Sequence, residues 1–169
     1  MRADPVPHGG TVPGEGFPAK GGRGVSETSL PLGAAVDLPR SLWAQMIGQA
    51  RAEAPYEACG VVAGDSTGAA LRYHPLRNVA GRLDWFEPDP IDLLHVTMAL
   101  DDAGECLWAI YHSHPHSPAR PSPSDVEGAA YPDSLYLIGS LLEPEHPVLR
   151  AFRIAHGGIT EVPLRLVGD

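Results

Sequence analysis

Apolar residues change their period several times along the chain, and each change marks an element. Leu42, Met46, Ala50 and Ala54 share one helical stripe, with Trp43 and Ile47 beside it, which predicts a helix from Pro39 to Ala54. A short strand, Ala34 to Leu38, precedes it. Glu57 to Ala63 and Leu71 to Pro75 are short apolar runs around the turn-forming stretch Asp65 to Gly68, and predict a strand and its return. Trp85 and Phe86 predict a further short strand. Asp89-Pro90 opens a second helix, with Leu93, Val96, Thr97 and Leu100 periodic and Gly104 at its end. Leu107 to Tyr111 follows that breaker and reads as a buried strand. A short helix from Pro123 to about Tyr131 comes next. Leu135 to Leu142, Val148 to Ile154 and Ile159 to Val167 complete a sheet, with Gly157-Gly158 as a hairpin turn. The expected fold class is α/β, a mixed β-sheet flanked by helices, with no internal repeat.

Residues 1–33 differ from the rest in composition. They hold 8 Gly and 5 Pro with few large apolar groups, so they cannot bury enough surface to offset the entropy of ordering. The expected organisation is therefore a disordered N-terminal tail, 1–33, and one domain, 34–169. The net charge is −9. In the tail Arg2, Lys20 and Arg23 balance Asp4, Glu15 and Glu27, so the whole excess falls on the domain. An acidic domain repels phosphate backbones, which argues against nucleic acid as a partner. No apolar stretch is long enough for a membrane span, and the first residues have no apolar core of a secretory signal. Two cysteines and no signal fit a reducing cytoplasm. Cys59 and Cys106 each fall in or beside an apolar run, where two buried thiols are the default reading; a disulfide between neighbouring strands is the alternative.

The chemistry is concentrated in Tyr111-His112-Ser113-His114-Pro115-His116-Ser117-Pro118-Ala119-Arg120-Pro121-Ser122-Pro123, closed by Asp125. Two histidines two apart on an extended chain point to one side and can reach one ion. Pro115, Pro118, Pro121 and Pro123 hold the following loop out of helix. Ser122-Pro123-Ser124-Asp125 then has the form of a helix start, with Ser at the N-cap, Pro at N1 and an acid at N3. Two imidazoles and a carboxylate with one open position are the ligand set of a catalytic zinc site. Upstream, Glu57 in Pro55-Tyr56-Glu57-Ala58-Cys59-Gly60 offers the base that the zinc's water needs. Taken singly, Ser122 to Asp125 is an ordinary capping box and Glu57 a surface acid; together they argue for a metal site. His116 reads as a loop residue, and His8, His74, His95, His146 and His156 have no partner at metal spacing. Trp108 and Tyr111 read as core.

This His-x-His-x7-Ser-x2-Asp pattern with an upstream Glu-x-Cys-Gly resembles the JAMM (MPN-plus) metalloproteases, from about Ala34 to the C-terminus. The resemblance implies a single MPN-type, cytidine-deaminase-like domain. It implies His112, His114 and Asp125 as ligands of one Zn2+ per chain, Glu57 as general acid/base and Ser122 as oxyanion stabiliser. It also implies hydrolysis of the bond after the C-terminal Gly-Gly of a ubiquitin-like or sulfur-carrier protein, as in the compact prokaryotic branch. Glycines there let the substrate backbone approach the metal closely. Two other functions compete: a DNA-repair-associated protein of the same fold, and a catalytically silent scaffold. The first normally carries an N-terminal helical DNA-binding module, which the Gly/Pro-rich tail does not resemble; the second usually lacks ligands, and all five polar positions are present here.

Overall fold

A computed structural model describes residues 34–155 and 158–168. The tail reading for 1–33 lies outside the described residues, as does Gly157 of the expected turn. The elements are β1 (Val36–Pro39), α1 (Arg40–Glu53), β2 (Cys59–Gly64), β3 (Ala70–Leu76), α2 (Pro90–Ala103), β4 (Cys106–His114), α3 (Pro123–Glu127), β5 (Leu135–Ser140), β6 (Val148–Ala155), β7 (Gly158–Val162) and β8 (Leu164–Val167). Six strands make a mixed sheet in the order β3-β2-β4-β5-β6-β7, and β1 pairs separately with β8. Within the large sheet β4 and β5 are parallel and the other pairs antiparallel. The α/β class with a mixed sheet is as expected.

Apolar alternation sets the two faces. Tyr111, Val62, Leu137 and Ala151 join Leu42, Met46 and Ala50 of α1 in the largest core cluster. Ile110, Ile138, Phe152 and Ile154 form a second cluster. From Ala109 to Tyr111 the two clusters take alternate residues of β4, as the pleat requires. Fully burying a side chain the size of Leu38 or Met46, both at 0% exposure, is worth roughly 1.5–3 kcal/mol. Tyr111 also donates its hydroxyl to the Met46 carbonyl at 3.0 Å, fixing α1 against β4. Gly60 is explained by contact: the Tyr73 ring lies over it where a Cβ would overlap.

Several expected boundaries change. Trp85 and Phe86 are not in a strand; they lie in the irregular connection between β3 and α2, whose one bridge joins Asn78 to Pro88. The short helix stops at Glu127, with Gly128 as its C-cap. The expected strand Ile159 to Val167 is two strands in different sheets, divided at Pro163. Proline has no N–H to continue a ladder, and its carbonyl instead accepts from Val36 N–H at 2.8 Å, which starts the β1–β8 pair. Finally, β4 runs on to His114, so both histidines lie inside the strand. Cys59 and Cys106 are free thiols, set at opposite ends of the β2–β4 ladder.

Candidate metal centre

A parallel pair cannot be closed by a tight turn. The chain leaving β4 at His114 must cross back to begin β5 at Leu135, and α3 lies on that crossover. This places Asp125 over the end of β4. His112 and His114 bring their Nε2 atoms to 3.0 Å. Asp125 Oδ1 lies 3.3 Å from the first and Oδ2 3.5 Å from the second. Among the described residues these three form the one group of metal-capable side chains, their donor atoms all within 4.8 Å of one another. The two histidines are 1% and 5% exposed.

Each donor is held from behind. The Ser122 N–H donates to Asp125 Oδ2 at 2.6 Å, and the Asp125 N–H returns a bond to Ser122 Oγ at 3.2 Å. The capping box read in the sequence is thus formed, and it orients the carboxylate. His114 Nδ1 lies 2.9 Å from the Pro118 carbonyl. A carbonyl only accepts, so the proton sits on Nδ1 and Nε2 turns a lone pair inward, the usual arrangement of a metal-binding histidine. Ser140 Oγ donates to the Ser117 carbonyl at 2.7 Å and anchors the same loop. The His112 ring stacks on Phe86 with centroids 4.6 Å apart and planes 16° from parallel. Its Nδ1 is buried without a hydrogen-bond partner. Two imidazole nitrogens at 3.0 Å require a proton or a cation between them. The cluster therefore fits a metal ion: removing the shared proton leaves two inward lone pairs and an anionic carboxylate.

Without a metal, the electrostatics fit an ionised Asp125 facing a pair of histidines that share one proton. Burial pushes His112 down, against the pull of Asp125, and favours a neutral ring. Burial also works against charge on His114, but Asp125, the Pro118 carbonyl and Glu57 outweigh it and raise that ring. Burial opposes ionisation of Asp125 too. The proton shared between the two histidine Nε2 atoms, His112 before His114, and the Ser122 N–H overcome it and hold the carboxyl well below its usual range.

Glu57 lies in the loop before β2, not in the strand, and is 7% exposed. Burial pushes its carboxyl up to about 7; His114 opposes the rise, and Asp125 and Asp84 add to it. That coupling puts it in the electrostatic field of the cluster. Its neighbour Ala58 is locked to β4: the Ala58 N–H donates to Ser113 Oγ at 2.8 Å, and the Ser113 N–H to the Ala58 carbonyl at 2.9 Å. Ser113 points away from the two histidines that flank it, as strand alternation dictates. Ser122 stands at the N-cap of α3, its hydroxyl 2.9 Å from Ser124 Oγ. All five expected site residues thus occur around the end of β4. Sequence reasoning missed Phe86 and Ser113. The position of Ser113 between two same-facing histidines was a usable signal; nothing local pointed to Phe86. His116 is an exposed loop residue, while Trp108 and Tyr111 are buried core, all as expected.

The family described as prokaryotic homologs of the JAB domain matches residues 39–155. The chain belongs to the prokaryotic JAB/MPN family. Its relatives include the CysO-cysteine peptidase of Mycobacterium tuberculosis, 37% identical over 123 residues, covering 72% of this chain and 84% of the relative. The desampylase of Haloferax volcanii is 37% identical over 115 residues, covering 67% and 83%. A solution structure of a Desulfitobacterium hafniense protein superposes with a TM-score of 0.73 at 34% identity, over 79% of this chain and 94% of that one. A JAB1/MPN domain protein of Archaeoglobus fulgidus shares the fold at 17% identity, with a TM-score of 0.52 over 76% and 97%. The JAB/MPN relationship read from the motif is borne out, and with it a single JAB/MPN domain. No helix among the described residues is long and apolar enough to cross a membrane.

Proposed function

We propose that the chain is a zinc-dependent isopeptidase or peptidase that hydrolyses the bond after the C-terminal Gly-Gly of a ubiquitin-like or sulfur-carrier protein, in the cytoplasm. The observation that carries this is the buried His112–His114–Asp125 cluster with Glu57 beside it. The named peptidase and desampylase relatives support the same reaction class. His112, His114 and Asp125 would hold one zinc per chain. Zinc so bound polarises a carbonyl and lowers the pKa of water toward neutrality.

Glu57 takes the proton of the attacking water as oxygen adds to the glycine carbonyl carbon. It then delivers that proton to the departing amine as the C–N bond breaks, leaving a Gly-Gly carboxylate and a free amine. Burial raises that carboxyl in the metal-free protein, and a raised carboxyl suits both halves of this exchange. With Ser124 as the donor in the Ser122–Ser124 hydroxyl pair, the Ser122 hydroxyl accepts twice, from Ser124 and from the Asp125 N–H, and keeps its own proton to donate to the developing oxyanion, a contribution of typically a few kcal/mol. β4 has partners on both edges, so the substrate tail lies across the end of the sheet and does not extend β4. Two glycines offer no side chains to read, and specificity must come from the folded body of the substrate.

The test compares a full-length sulfur-carrier–Gly-Gly adduct with a short Gly-Gly peptide bearing the same leaving group. The full-length adduct is expected to win by a large factor in kcat/KM. Equal rates, or activity on unrelated peptides only, would leave a general zinc peptidase.

A further inference from the structure

The connection between β3 and α2, residues 77–89, contains no regular element beyond its single bridge, yet it carries Phe86 onto a metal-ligating ring. One side chain organises it. Asn78 Nδ2 donates to the Glu57 carbonyl at 2.8 Å and to the Trp85 carbonyl at 3.3 Å. Asn78 Oδ1 accepts from the Ala80 and Glu87 N–H groups, each at 3.0 Å. A carboxamide has two donor hydrogens and two acceptor lone pairs, and all four are used. A turn-forming asparagine bonds the backbone about two residues on; the Ala80 bond is of that kind. The bonds to Glu57, Trp85 and Glu87 reach much further along the chain and join the loop to the segment bearing the candidate base.

From Trp85 the contact continues by stacking. The Trp85 and Phe86 rings lie 6.2 Å apart and 29° from parallel, and Phe86 then covers His112. One amide thus touches the main chain of Glu57 and the main chain of the strap that covers a ligand.

We infer that Asn78 is a positioning residue that sets the spacing between the general base and the metal centre by tying the Glu57 backbone to the Trp85–Phe86 strap. This rests on the function proposed above. Neither Asn78 nor the strap touches the reacting atoms. The effect is on where Glu57 is held and on how tightly His112 is packed.

Two variants separate positioning from mere loop stability. Asn78→Asp keeps an acceptor for Ala80 and Glu87 but turns both donor contacts into oxygen–oxygen repulsions. Asn78→Ala removes all four bonds. For the zinc-loaded Asn78→Asp enzyme, the Ala80 and Glu87 amides should stay protected from hydrogen exchange, with KM within about twofold. Its kcat, read on the high-pH plateau so that the added charge near Glu57 does not distort it, should fall by about 10–100-fold, the usual effect of losing outer support at a metal site. For Asn78→Ala, zinc should pass to a chelator about tenfold faster than from wild type. Wild-type kcat in Asn78→Asp with its loop amides protected would overturn the tie to Glu57. Unchanged zinc release from Asn78→Ala would overturn the tie to His112. If Asn78→Ala fails to fold, zinc release from Asn78→Asp decides that second tie. A wild-type protein that binds zinc but cleaves no ubiquitin-like adduct would sink the proposed function instead, and the zinc-release comparison would still decide the role of Asn78.

Discussion

The two ends of β4 are built on opposite principles. Toward its start and middle, Trp108, Ala109 and Tyr111 join the cluster that α1 covers with Leu42, Met46 and Ala50. Many contacts there do the same job, and each loss is graded. At its end, His112 and His114 enter a cluster in which each polar side chain depends on a few specific partners. Asp125 needs Ser122, His114 needs the Pro118 carbonyl, and Glu57 is held through Ala58 and Ser113. Redundancy gives stability and uniqueness gives chemistry, so damage to the two ends should be separable.

The largest expected effect is at the polar end. His112→Ala and Asp125→Ala should each lower zinc from about one per chain to near zero, because two remaining protein ligands do not make a catalytic site. Activity should vanish with the metal while the purified variants still fold. Full zinc content in either, measured by elemental analysis, would refute the ligand assignment.

Glu57→Gln should cut turnover by at least about 10²-fold with zinc retained, since the amide keeps the shape but cannot take a proton. It also tests the electrostatics in the metal-free protein. The folded-state value for Glu57, about 7, lies above its ordinary value of 4.5. Its contribution is therefore fully present below about pH 4.5 and is lost as pH rises through about 7. Metal-free Glu57→Gln should then gain on wild type in denaturant melts between those limits and hold its advantage above them. A gap that does not change with pH would show that Glu57 ionises as freely in the fold as in water.

The same contrast explains what could be read from the sequence. Ligands at fixed spacing on one strand and one capped turn are local facts, so His112, His114, Ser122 and Asp125 were legible in the order of residues alone. Glu57 was legible only as the acid that a water on the metal needs, and the family pattern then tied it to the motif some fifty residues downstream. Helix α1 was legible through its stripe, and α2 through Asp89 and Gly104 at its two ends, which the structure uses as N-cap and left-handed C-cap. The illegible parts depended on distant partners. Phe86 has a strand-like composition but takes its position from His112 and from the hydrogen bonds of Asn78. The split at Pro163 required knowing that Val36 waits for its carbonyl. Pattern reports what a segment prefers, and contacts between remote segments decide the exceptions.

At the apolar end, Met46→Ala should cost about 2–5 kcal/mol of stability, the range for emptying a fully buried site of this size. Zinc content and kcat should be unchanged at a temperature where the variant stays folded. Loss of zinc in the folded variant would show that α1 packing reaches the metal cluster and that the two ends are not independent.

Ser122→Ala falls across the divide. The hydroxyl caps α3 and, in the proposed mechanism, stabilises the oxyanion, so stability should drop by about 1 kcal/mol and turnover should slow as well. Measured together, melting temperature and rate separate the roles. A stability loss with an unchanged rate would leave Ser122 as a cap and nothing more.

The smallest effect is expected from removing far more of the chain than any point change does, residues 1–33. We propose that residues 1–33 contribute nothing to the folded domain, because a Gly/Pro-rich stretch with few large apolar groups has little to bury. The structure supplies a sharp control six residues further on. Val36 and Leu38 are buried, and β1 pairs with β8 from Val36 to Pro39. Removing residues 1–33 should shift the melting temperature by no more than about 2 °C, equivalent to well under about 1 kcal/mol in a domain of this size. Removing residues 1–39 takes away the strand and two core side chains, and should destabilise by several times that amount. Zinc binding should survive the first cut. A large loss on removing 1–33 alone would show that the tail packs on the domain or on a second chain, and would move the boundary of the apolar end to include it.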